Sequence, residues 1–145
     1  MALVAFGVTY RIAWQHGGGR PVAWRDASSA LEGVELHRPV AASFTRQADL
    51  DRFLARTVPG PTSVSRPLDL RGRTAVLIAT GARSSGGYAV EVVGVLEERG
   101  RIVVSVRERT PSAARPAPAT LTFPYRLIEV GAMGKRVEVE WQGRP

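Results

Sequence analysis

Apolar and polar positions alternate along most of this chain, and only one stretch repeats in steps of three and four. Residues 3–14 are rich in β-branched and aromatic side chains, with Tyr10, Ile12 and Trp14 set against Thr9, Arg11 and Ala13, which is the period of a strand. The glycines of HGGGR, residues 16–20, break that run, and residues 21–24 predict a short returning strand. Residues 28–39 show neither period clearly. The helical stretch follows over residues 46–56, where Leu50, Phe53 and Leu54 share one face, Ser43 or Thr45 can cap the first amides, and Pro59-Gly60 ends the run. That face is expected to lie on a sheet.

An irregular connection, PGPTSVSRPLDLRGR, then leads into the denser half. Thr74 to Thr80 is a continuous apolar run, predicting a strand buried on both faces, and residues 88–96 predict the next strand. EERGR turns the chain into a strand over residues 102–109, with Gly100 supplying the positive φ that short hairpins require. A Pro- and Ala-rich loop precedes LTFPYRLIEV, and the last strand runs from Val137 to Trp141, with Val137, Val139 and Trp141 opposing Glu138, Glu140 and Gln142. The elements sum to a β-rich α+β fold: one domain over residues 1–145, a compact and mostly antiparallel sheet arranged as a sandwich or open barrel, and one packed helix. No regular repeat is visible.

Composition narrows the function classes. A chain of 145 residues, 44% apolar, supports one core that removes roughly two-thirds of its unfolded surface from water. Without cysteine, disulfides, thiolate zinc sites and a cysteine nucleophile are excluded. The first residues lack the basic-then-apolar order of a signal peptide, and no run reaches the roughly 18 apolar residues of a membrane span. The chain as it stands reads as soluble and cytoplasmic, or as envelope-located or secreted if a leader was trimmed. Its 20 basic and 13 acidic residues give a net charge of +7, which invites a nucleic-acid reading. The arginines are spread from Arg11 to Arg144, often beside an acid, with no basic run and no stacking aromatics beside one, so a solvated basic surface is the favoured account.

Candidate catalysts are few. His16 and His37 are the only histidines, and neither has a neighbour at metal-ligand spacing or a carboxylate placed to orient it as a base. Glu97-Glu98 sits at a hairpin tip, Asp49 and Asp51 point to different sides of the helix, and Glu91 reads as an edge or solvent-facing acid. ARSSGGY, residues 82–88, opens a strand rather than a helix, unlike a phosphate cradle. Ser84 and Ser85 lack the strand-to-helix elbow and paired base of a hydrolytic nucleophile. The expectation is therefore a noncatalytic chain, with no metal and no cofactor.

The segment over residues 76–130 holds an ordered set of short motifs: an apolar strand ending in Gly81, then Ser85-Gly86-Gly87-Tyr88, a hairpin, Glu108 with Pro111, and Thr122-Phe123-Pro124-Tyr125. In order and spacing it resembles the C-terminal domain of the PrcB family, described as protease complex subunits. The resemblance implies a noncatalytic module that interacts with protein, with a protease as partner. SSGGYAVEV is also similar in outline to the loop that chagasin-like inhibitors present to cysteine proteases. The alternatives are therefore an accessory subunit, an inhibitor using residues 84–88, and, less favoured, a nucleic-acid binder.

Arg83, Ser84, Ser85, Gly86, Gly87 and Tyr88 form the candidate protein-binding loop, adaptable small residues flanked by an Arg and a Tyr. The competing account is structural: one glycine takes positive φ, the other admits a close neighbour, and Tyr88 and Tyr125 bury their rings while keeping a polar partner for each hydroxyl. Pro124 and Tyr125 are expected to be structural. Exposed strand edges leave homo-oligomerisation open as well.

Overall fold

The computed structural model describes residues 18–60, 64 and 66–143. The strand expected over residues 3–14, and His16, lie outside these.

Among the described residues, eight strands form two four-stranded sheets. The first contains β1 (Arg20–Pro21), β5 (Ala89–Glu98), β6 (Arg101–Arg109) and β8 (Val137–Trp141), in the order β1-β5-β6-β8. The second contains β2 (Trp24–Asp26), β7 (Tyr125–Val130), β4 (Thr74–Thr80) and β3 (Pro39–Phe44), in the order β2-β7-β4-β3. Every pairing is antiparallel except β6 with β8. The sheets face one another without closing into a barrel, and the arrangement is a sandwich.

Strand β4 organises the layers. All seven of its residues are buried, as its unbroken apolar run predicts, because alternate side chains enter different cores. Val76 and Ile78 join Val90, Ile102, Val104, Ile128 and Trp141 between the sheets. Ala75, Leu77 and Ala79 face the other way, toward Leu36, Leu50, Phe53, Leu54 and Leu127. Helix α1 (Gln47–Thr57) covers this second face with the residues its periodicity selects, Leu50, Phe53 and Leu54.

Three local expectations are revised, and one unassigned stretch is resolved. Neither Ser43 nor Thr45 caps α1; the N-cap is Arg46 and it makes no side-chain cap. Ser43 lies within β3, opposite Val76 of β4, and the first turn is instead served by Asp49, paired with Arg46 and Arg52, an acid where the helix dipole favours one. The returning strand expected over residues 21–24 is two strands. Val22 N–H donates to Val95 O and Gly131 N–H to Ala23 O, both at 3.0 Å, so residues 20–26 lace one sheet to the other. Residues 28–39, without a clear period, form a 3-10 turn (Ser28–Ala30) and an irregular run, bent at Gly33 and Arg38, leading into β3; Leu31, Val34 and Leu36 of that run are buried. Finally, β5 starts at Ala89, one residue after Tyr88, and runs on to Glu98. A register shift between Val92 and Gly94 leaves Val93 exposed, the expected result of a bulge.

The β5–β6 turn places both Arg99 (φ 49°) and Gly100 (φ 79°) in the left-handed region. That matches the two-residue hairpin geometry that needs positive φ at both central positions. Glycine supplies it freely at 100; arginine does not at 99.

Candidate functional site

Residues 81–88 leave β4 and return as β5, and sequence-distant motifs converge on this passage. Gly81 turns the chain out of β4 at φ 83°, where a Cβ would come within 3.1 Å of the His37 carbonyl oxygen. Only glycine meets both conditions without strain. Arg83 and Thr122 then exchange backbone hydrogen bonds at 2.8 and 2.9 Å, and Thr122 Oγ1 donates to Ser85 O at 2.8 Å. Gly86 N–H donates to Pro118 O at 3.0 Å. Gly87 has φ 85°, and a Cβ there would meet Pro111 Cβ at 3.0 Å.

The Arg83 side chain is a strut. Its Nε donates to Glu108 Oε2 at 2.8 Å, and its Nη1 donates to the carbonyls of Thr80 and Ala82 at 3.1 Å. The two side chains are 20% and 9% exposed. The guanidinium also lies 5.8 Å from the centroid of the half-buried Tyr88 ring, within cation–π range. Thus Glu108 and Pro111, three residues apart, hold the two ends of the loop: one takes Arg83, the other supports Gly87.

Thr122, Pro124 and Tyr125 complete the junction. Thr80 N–H donates to Pro124 O, and Tyr125 hydroxyl donates to Leu31 O at 2.9 Å. Burial, aided by the Asp26 carboxylate, raises the Tyr125 phenol above its ordinary value, because the ionised form loses hydration there. What the loop leaves to solvent is Ser84 and Gly87, with Leu121 exposed on the adjoining segment. Of the six loop residues singled out in the sequence, Arg83 faces inward, Ser85 and Gly86 are pinned through the backbone, and Tyr88 is half-covered.

Of the remaining chemistry-bearing groups, His37 borders this junction through its backbone and ring. The His37 ring lies tilted against Phe123, with centroids 4.7 Å apart and planes at 58°, and 3.7 Å from Glu35, a carboxylate not singled out in the sequence; both His37 and Glu35 side chains are more than half exposed. The Glu91 carboxyl is held below its usual range by the Arg107 hydrogen bond. Several other arginines are engaged: Arg25 and Arg73 meet the buried Glu129, Arg101 meets Glu138, and Arg126 meets Asp26. Among the described residues no group of three or more His, Cys, Asp or Glu could hold a metal ion, and no helix is long and apolar enough to cross a membrane.

Fold and junction together define a β-rich two-sheet domain whose loop motifs serve first as a clasp. Residues 74–131, from β4 to just past β7, match the family model described as PrcB C-terminal, the family that the ordered motifs resemble. No curated protein and no solved structure matches the chain.

Proposed function

We propose that this protein is a noncatalytic protein-interaction module acting as the accessory partner of a protease. The observation that carries the reading is the PrcB C-terminal match over residues 74–131, whose motifs occupy one junction and present a loop already ordered by its own hydrogen bonds. A loop held in this way loses little freedom on binding, which favours recognition. The inhibitor alternative asks residues 84–88 to enter a protease cleft, yet the Gly86 and Ser85 backbone is tied to residues 118–122 on one side, so the accessory reading is preferred.

The test is affinity capture on the immobilised full chain from lysate and envelope fractions of the source organism, followed by a peptide-hydrolysis assay on what is retained. A protease that stays active while bound is the expected result. Retention of a protease that the chain inhibits would transfer the function to the inhibitor reading, and recovery of no protein in stoichiometric amount would overturn both.

A further inference from the structure

Among the described residues the two sheets are laced together at one side by residues 20–26, while at the other side β8 ends the first sheet and β3 ends the second. Between these two edges lies a groove of about 780 Å³. Phe53, Val76 and Val139 contribute to its apolar lining, and Arg52 and Arg56 of α1 with Lys135 and Arg136 of the turn before β8 contribute its cations, Lys135 being paired with Glu97. Its two carboxylates, Asp49 and Glu138, are already paired with arginines. Arg56 has no acidic partner among the described residues.

Hydrogen-bond parity shows which backbone groups face outward. Ile102 N–H donates to Arg136 O, and Gln142 N–H donates to Val106 O. In a parallel pair those two bonds direct the backbone groups of Glu138 and Glu140 at β6, so those of Val137, Val139 and Trp141 point away from the sheet. On the facing edge, Thr80 N–H donates toward β7, so alternation directs Ala79, Leu77 and Ala75 at β3 and leaves Ala41 and Ser43 as its outward residues. The β8 edge therefore offers three consecutive outward positions beside an apolar, cation-rimmed groove.

We propose that β8 receives an extended segment of a protein partner as an added strand, its alternate apolar side chains entering the groove and an acidic side chain meeting Arg56. This rests on the interaction-module reading and names its surface. Main-chain bonds supply affinity in this mode and the pocketed alternate side chains supply selectivity. The charge of the rim selects an acidic segment, whereas a second copy of this chain, itself at +7, brings like charge to it.

The first measurement is amide hydrogen exchange on the free full chain. Val137, Val139 and Trp141 should exchange quickly and Glu138 and Glu140 slowly. Slow exchange at Val139 would show that the chain's own residues or a second copy cover the edge, and would overturn the proposal. A random nine-residue peptide library displayed on phage is then selected on the full chain. Enrichment of Pro-free sequences that alternate apolar with acidic residues is expected.

Val139→Pro removes one outward donor and no bond to β6, and should weaken the enriched peptides by roughly tenfold while leaving a cooperative melt. Arg56→Glu gives an independent variant that leaves the strand intact, with a loss of about fivefold or more that shrinks in high salt. No enrichment, or enriched peptides that bind both variants as they bind wild type, would overturn it. A partner captured equally by wild type and Val139→Pro would sink the groove while leaving the module reading standing.

Discussion

Arg83→Ala decides whether the loop arginine is a strut or a contact. The Arg83 side chain is 20% exposed and its guanidinium makes three hydrogen bonds, one of them to Glu108, whose side chain is 9% exposed. Truncation strips the counter-ion from Glu108 and leaves the Thr80 and Ala82 carbonyls short of a donor. Breaking a fully buried pair from one side costs about 3–5 kcal/mol. Water can reach the vacated space through the exposed fifth of the side chain, which lowers the expectation to about 2–4 kcal/mol. For a chain of this length that corresponds to a fall in Tm of roughly 5–12 °C.

Urea unfolding at pH 7, followed by tryptophan fluorescence, measures the loss directly. Glu108→Gln keeps an acceptor but removes the charge and should cost about 1–2 kcal/mol. The double variant should then show a coupling of about 1–2 kcal/mol between the two sites. A loss below about 0.5 kcal/mol for Arg83→Ala would refute the strut, since that is what an exposed side chain gives. If such a stable variant also lost partner capture, Arg83 would become a recognition residue.

Gly87→Ala should destabilise by about 2 kcal/mol, since it places a Cβ at φ 85° and 3.0 Å from Pro111 Cβ; Gly86→Ala, with ordinary backbone and 3.5 Å to Pro118, should cost under about 1 kcal/mol, and equal losses in urea melts would refute the assignment. Tyr125→Phe should cost about 1 kcal/mol through the lost bond to Leu31 O. Because the folded phenol titrates above its ordinary 10.0, wild-type stability should be fully present below that pH and fall as pH rises toward the folded value, while the variant shows less of that fall. Arg99→Asn should stabilise by about 0.5–1 kcal/mol, relieving a left-handed arginine at φ 49°; unchanged or lower Tm would count against the turn geometry.

Much of the fold was legible because its signals are local. The helix face Leu50, Phe53 and Leu54, the doubly buried β4 and the alternation of β8 each declare themselves within a dozen residues. Strand β3 did not, because PVAAS offers little apolar contrast and Ser43 imitates a helix cap. The lacing at residues 20–26 was hidden as well, since two- and three-residue strands have no period to read. At the loop, the glycines announced themselves, but the pairing of Arg83 with Glu108 spans 25 residues and is set by hairpin register. The β8 edge was invisible for a similar reason: alternation marks a strand and says nothing of what lies beside it.

The matched segment is not physically self-sufficient, and that bears on where recognition resides. It supplies β4 and β7 to one sheet and β5 and β6 to the other, yet Trp141, Val137, Val139 and Val22 reach the inter-sheet core from outside it. Leu36, Leu50, Phe53 and Leu54, likewise from outside, make up much of the second core. The clasp of residues 81–88 lies wholly within the segment, whereas the groove draws its walls from β3, α1 and residues 135–139, with only Thr74 and Val76 from the segment. The clasp is thus set by the framework that the segment builds. The groove depends on the elements that flank it, and a partner that reads the groove reads residues that lie mostly outside the matched segment.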